Sequence, residues 1–183
     1  MIEKEAPMTE GEIIQRCQAG DQEAFRSVVE SYQDVLFGTA YLMTGSRTVA
    51  EDQVQEAFIS AWKGIGSFRP GHPLKPWLVR ILVNKVLSYK RAKSIAVSTF
   101  NPDIITDPVD DLTEDIELKD QLQRFLPRLS EEQRQIVLLR YFTGLSIAET
   151  SVALRRRQGT VKSQAHRALE LLKNLIEDDN NIR

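Results

Sequence analysis

Four polar residues, each followed by apolar residues at helical spacing, leave this chain few choices of fold. Thr9, Asp21, Ser130 and Ser146 are residue types whose side-chain oxygen takes up an amide that the first turn of a helix leaves unpaired. Thr9 is followed by Glu12, Ser130 by Gln133 and Ser146 by Glu149, which is the reciprocal spacing of a capping box. After Asp21, the residues Ala24, Phe25, Val28, Val29, Tyr32, Val35, Leu36 and Ala40 recur with a helical period. No strand-like alternation and no internal repeat interrupts this pattern.

The punctuation predicts the elements. A first helix runs from Thr9 to about Ala19, and Gly20-Asp21 breaks it. The second ends at Thr44-Gly45-Ser46. A third spans about Arg47–Lys63, with Ala50, Val54, Ala57, Phe58, Ala61 and Trp62 on one face. Gly64, Gly66, Pro70, Gly71 and Pro73 mark a loop, and a fourth helix covers about Leu74–Ala92 with Trp77, Leu78, Ile81, Leu82, Val86 and Tyr89 inward. From about Ser94 to Thr113 the period disappears, with Pro102 and Pro108 in the stretch. Further helices are expected over about Glu114–Leu126, Glu131–Phe142 and Ser146–Leu154, and a last one over about Gln158–Ile176. In that last helix Val161, Ala165, Ala168, Leu169 and Leu172 would pack inward. A short helix, a tight turn and a longer helix with basic residues form the helix-turn-helix pattern. The fold class is therefore all-α: two small helical domains, 1–93 and 114–183, joined by a flexible acidic linker, 94–113, with the second domain a helix-turn-helix bundle.

Charge narrows the function. The net charge is only −2, yet it is segregated. Between Trp62 and Lys93 stand Lys63, Arg69, Lys75, Arg80, Lys85, Lys90, Arg91 and Lys93, with no acid. Between Asn101 and Leu118 stand Asp103, Asp107, Asp110, Asp111, Glu114, Asp115 and Glu117, with no Lys or Arg. Such separation points to nucleic acid more than the total does. Cys17 is the single cysteine, and His72 and His166 lie far apart. No disulfide and no metal site is expected. No apolar run approaches the roughly 20 residues of a membrane span, and the N-terminus has no signal-peptide pattern. A soluble, cytoplasmic protein is expected.

Three surfaces are candidates. On the last helix Thr160, Lys162, Ser163, Gln164, His166 and Arg167 occupy exposed positions; such side chains suit phosphates and base edges in a major groove, or simply the solvated face of a small bundle. Along the fourth helix, positive charge interleaved with Phe68, Trp77 and Tyr89 suits a single strand, although Trp77 is in register with Ile81 and reads better as core. Asp52, Gln55 and Glu56 share one face of the third helix, fit to dock a basic partner or to face water. No phosphate-binding glycine loop, nucleophile elbow or zinc-protease motif occurs, so neither an enzyme nor a cofactor is expected.

Taken together, the motifs resemble the extracytoplasmic-function (ECF) group of bacterial RNA polymerase sigma factors over nearly the whole chain. Gly20-Asp21-Gln22-Glu23-Ala24-Phe25 looks like the opening of that family's first domain, and Ala50–Phe58 with Ala61-Trp62 like its polymerase-docking helix. Phe68-Arg69 and Pro76–Asn84 look like the loop and helix that read and open the −10 element. Leu129–Arg134, Gly144–Glu149, Gly159–Ser163 and His166-Arg167-Ala168 look like the −35-reading half. The resemblance implies polymerase contacts at Asp52, Gln55 and Glu56. It implies a −10 site at Phe68, Lys75, Arg80, Asn84 and Lys85, with a loop at about Phe68–Lys75 that captures an unstacked base. It implies −35 contacts at Arg157, Thr160, Lys162, Ser163, Gln164 and Arg167. The implied partners are core RNA polymerase, promoter DNA and an anti-sigma factor, without stable membrane insertion.

This chain departs from the family in places. Arg155-Arg156-Arg157 stands where a glycine, an apolar residue and a small polar cap are usual, so the turn lacks its positive-φ glycine and its N-cap, at about 1 kcal/mol each. Glu149-Thr150-Ser151 replaces apolar or small residues, Gln164 a common arginine and Ser88 a common aspartate. The rival readings are a stand-alone helix-turn-helix regulator, or an interaction module whose degenerate turn no longer reads DNA.

Overall fold

The computed structural model of the protein describes residues 8–96 and 125–182. Among these residues there are seven α-helices and no strand. They are α1 (Glu10–Gln18), α2 (Gln22–Thr44), α3 (Arg47–Gly64), α4 (Leu74–Ala96), α5 (Glu131–Val137), α6 (Ile147–Leu154) and α7 (Gln158–Ile182). Short 3₁₀ turns occupy Ile65–Ser67 and Leu126–Arg128, and α5 widens into a π-helical stretch over Leu138–Phe142.

The capping chemistry is where the sequence puts it. Thr9, Ser130 and Ser146 each close a full capping box, and the Asp21 carboxylate accepts from the amides of Glu23 and Ala24. Gly45 ends α2 at φ 70°, a left-handed conformation that costs glycine nothing. The fourth helix runs to Ala96, past the expected boundary at residue 93, and the last continues to Ile182 rather than Ile176. The rest of the expected acidic linker, and nearly all of the helix expected over 114–126, lie outside the described residues.

In the first half, α2 packs on α1, α3 and α4, and α3 packs on α4. In the second, α7 packs on α5 and α6. Helix α4 belongs to both, because α6 also packs against it. Its Leu74, Leu78, Val79, Leu82, Val83 and Val86 are all fully buried, and each such side chain is worth about 1.5–3 kcal/mol relative to exposure. Ile136, Leu138, Leu139, Leu145, Val161 and Ala168 continue one apolar core into the second half. The expected inward faces hold with two corrections: Tyr89 is only half-buried, and Leu169 is 40% exposed. It stands one position beyond the Val161–Ala165–Ala168 stripe, past the width that α5 and α6 cover.

The helix-turn-helix connection is built without its glycine. Arg155 itself takes the left-handed conformation, φ 54° and ψ 45°. Ser151 holds the turn: its carbonyl accepts the Arg156 amide at 2.9 Å, and its hydroxyl donates to the Arg156 carbonyl at 2.6 Å. The departure at Ser151 therefore supports the departure at Arg155. A left-handed non-glycine residue costs roughly 1–2 kcal/mol, and glycine returns part of that as unfolded-chain entropy. Arg155→Gly should accordingly raise stability by about 1 kcal/mol. The check is a urea titration in which the midpoint rises and the slope does not change.

Candidate nucleic-acid interface

Helix α3 buries Ala50, Ala57, Phe58 and Ala61. That leaves Asp52, Gln55 and Glu56 exposed on its opposite side. Its N-cap is Ser46, whose hydroxyl accepts from the Val49 amide, and Arg47 pairs with Glu51 at 3.0 Å along the first turn. The acidic stripe does not stand apart from the basic helix beside it: Glu56 accepts from the Lys85 ammonium at 3.1 Å. One side chain expected to face a protein partner and one expected to face DNA are thus partners in the free protein.

On α4, Arg80 is exposed and Asn84 half-buried one turn later. Ser88 continues the same strip, and its hydroxyl accepts from the Arg91 guanidinium at 3.2 Å. Lys75 and Lys85 are half-buried, and Lys85 is turned toward α3 by its contact with Glu56. Burial of the apolar face fixes which way this charge points, because Leu78, Leu82 and Val86 cannot leave the core without losing their packing. Phe68 does not join this display. It is only 7% exposed, and its ring meets Trp77 edge-on with centroids 5.1 Å apart. The expectation that Phe68 offers a ring to a strand needs correction in this structure: an aromatic ring next to another ring and an apolar core loses more by leaving than the exposed loop beside it. Trp77 is the core residue its register indicated.

On α7, Val161, Ala165 and Ala168 are buried against the bundle. Thr160, Ser163, Gln164 and Arg167 fall on an adjoining face at helical spacing. Of these Ser163 and Arg167 are exposed and Thr160 and Gln164 half-buried, and Lys162 projects from the flank. Arg157, just before the helix, is exposed, and its carbonyl accepts the Val161 amide at 3.0 Å. The Ser163 hydroxyl donates to the Thr160 carbonyl at 3.1 Å. His166 pairs with Glu170 at 3.4 Å. The groups that suit a groove therefore border the buried stripe, with Lys162, Ser163 and Arg167 exposed and Thr160 and Gln164 half-buried, brought together by one helix.

Two polar links were not legible from the pattern. Lys90 of α4 meets Glu131 of α5 at 2.6 Å, and Arg156 of the turn meets Glu132 at 3.5 Å. Both acids sit in the first turn of α5, where the helix dipole favours negative charge. No spacing rule connects positions so far apart in sequence.

The chain matches the family model described as Sigma-70 region 2 over residues 28–95 and that described as Sigma-70, region 4 over residues 119–172. It is 32% identical to the ECF RNA polymerase sigma factor SigW of Bacillus subtilis, covering 90% of this chain and 95% of that one. It is 36% identical to the ECF RNA polymerase sigma factor SigM of Mycobacterium tuberculosis, covering 92% and 85% respectively. Among solved structures, the sigma factor RpoE from Bartonella quintana, in complex with the anti-sigma factor NepR, superimposes with a TM-score of 0.72 at 27% identity, covering 84% of this chain and 96% of that one. The fold and both matched regions define a sigma-70-type transcription initiation factor. Within that class, the chain belongs to the ECF group of RNA polymerase sigma factors. The stand-alone regulator reading gives way, because the match covers both halves in family order.

The link across α4 and α5 has a measurable pH signature. Partial burial of Glu131 opposes its ionisation; the Lys90 ammonium, the Gln135 amide and Arg134 more than offset this and hold its carboxyl below the usual glutamate range. A depressed carboxylate contributes stability that is present above its unfolded-state value and is lost as pH falls through its folded one. The difference in urea midpoint between wild type and Glu131→Gln should therefore be largest near neutral pH and shrink as the pH falls below about 4. A difference that stays constant with pH would remove the ionic role from this contact.

Proposed function

We propose that the chain divides promoter reading between two surfaces and polymerase docking onto a third. As an ECF sigma factor it directs promoter-specific initiation: it binds core RNA polymerase, recognises the −35 and −10 elements and assists melting. The observation that carries this is the pairing of regions 2 and 4, in order, in one chain.

In this reading residues 1–93 dock polymerase and read the −10 element, and 114–183 read the −35 element. Asp52, Gln55 and Glu56 contact polymerase; their exposure on one face of α3 supports the role. Arg80, Asn84, Lys75 and Lys85 track the −10 strand, supported by the acid-free run of positive charge between Trp62 and Lys93. Arg157, Thr160, Lys162, Ser163, Gln164 and Arg167 enter the major groove at −35, where basic side chains contact phosphates and guanine edges. The three arginines of the turn are exposed and directly precede α7, and in this reading they add phosphate contacts. The polymerase performs the chemistry, and the protein itself is no enzyme. Among the described residues no helix is long and apolar enough to cross a membrane, and we place the protein in the cytoplasm with the polymerase it serves. The RpoE–NepR complex supports an anti-sigma partner here too.

The primary test is co-purification with bacterial core RNA polymerase, followed by run-off transcription from a randomised promoter library. Stable association and sequence-selective transcripts are expected, and a protein that never associates with its core would overturn the reading. Asp52→Arg should weaken core binding with the fold intact, because it reverses charge on an exposed face; unchanged affinity would remove Asp52 from the interface. Lys162→Ala with Arg167→Ala should weaken binding to −35 duplex and reduce the dependence of log K on log salt by about 1 per lost phosphate contact. An unchanged affinity and salt slope would sink that assignment.

A further inference from the structure

Helix α1 precedes the region-2 match, which begins at residue 28, and none of the candidate site residues lies on it. It nevertheless holds both ends of the loop between α3 and α4. At its C-terminal end, Gln18 donates through Nε2 to the Phe68 carbonyl at 2.8 Å and to the Ile65 carbonyl at 3.1 Å. At its N-terminal end, Glu10 accepts through Oε2 from the Leu74 amide at 3.3 Å. That amide opens α4 and has no intrahelical acceptor. The other Glu10 oxygen accepts from the Tyr32 hydroxyl at 2.6 Å. Burial and the neighbouring Glu10 carboxylate push the Tyr32 phenol well above its usual range, so it stays a donor.

The support is stiff. Ile14 and Cys17 bury one face of α1 in the bundle. A capping box fixes the first turn, and Arg16 meets Asp21 at 2.7 Å just beyond the last. A helix of nine residues spans about 13 Å, so its two ends reach two separate anchor points. Between them, Arg69 to Pro73 is exposed, with Gly71 at φ 88°. The chain enters this stretch from Phe68, whose ring is fixed under Trp77, and leaves it at the buried Leu74. The stretch between the two tethers, with its exposed Arg69 and His72, is left open to a ligand.

We infer that Glu10 and Gln18 are positioning residues for −10 recognition, holding the 68–74 loop at both ends in the shape that receives an unstacked base. This rests on the −10 reading given above. A backbone hydrogen bond lost at the loop allows it alternative shapes, and base capture then has to select one of them.

The test uses holoenzyme reconstituted with core polymerase. The probes are a single-stranded oligonucleotide bearing the −10 element selected from the randomised library, and a scrambled one of the same composition. Gln18→Met keeps the length of the side chain and removes both donors. It should lower the preference for the selected strand about fivefold, the equivalent of one ordinary hydrogen bond, with core affinity and −35 duplex binding unchanged. Gln18→Lys restores a donor and should recover most of the preference. Should Gln18→Met prevent folding, Glu10→Met, which removes the acceptor for the Leu74 amide, supplies the same comparison. A lower melting temperature with the strand preference intact would make α1 merely structural and overturn the inference. Asn84→Ala separates the two levels: if it leaves the preference unchanged, the −10 assignment fails and the brace falls with it. If it lowers the preference while Gln18→Met does not, the brace alone fails.

Discussion

Burial of Leu74, Leu78, Leu82 and Val86 along α4 is the constraint to which the other helices answer. These four positions recur at every fourth residue, so they form one ridge, and the ridge is dry from end to end. Val79 and Val83 widen it. A helix buried that broadly can be covered only by several partners, and here α2, α3 and α6 share the task. What remains exposed is narrow and basic. The cost of unfolding that ridge keeps the positive strip in register, because rotating α4 would expose leucines and bury lysines at once.

The same economy runs through the other two surfaces. On α3 the alanines at 50, 57 and 61 permit close helix approach and turn Asp52, Gln55 and Glu56 outward. On α7 the small buried set Val161, Ala165 and Ala168 does likewise for Ser163 and Arg167. Small residues at the contacts bring the helices near one another and leave the long polar side chains no place but solvent. The ion pair between Glu56 and Lys85 shows how near two of these surfaces lie. It is solvent-accessible on both sides, so its contribution to stability is small. Its interest is that each member is released when the other finds a different partner.

The turn before α7 illustrates a departure absorbed locally. Arg155 adopts a conformation that glycine would take without strain, and Ser151 answers it with two hydrogen bonds to Arg156. Arg156 then reaches Glu132 at the start of α5. The cost of the unusual turn is met within a few residues, and the positive charge that it brings is held at the edge of the face that would approach DNA. Thr150, in the same short helix, is fully buried, and among the described residues its hydroxyl has no hydrogen-bond partner to offset that burial.

The sequence by itself determined the helices, their caps and their inward faces, because these depend on interactions within four residues: Thr9 with Glu12, Ser130 with Gln133, Ser146 with Glu149, and the apolar period that follows each. It determined the family for the same reason, since the motifs are contiguous. Misreadings arose where the answer lay across the fold. Phe68 sits in a polar loop, and only the position of Trp77 draws it inward; Leu169 keeps the period but outruns the helices that would cover it. Lys90 with Glu131, and Gln18 with the backbone of Ile65 and Phe68, join residues 41 and about 50 positions apart. Local periodicity carries no information about such pairs, and only packing α1 and α5 against the rest of the molecule brings them within hydrogen-bond reach.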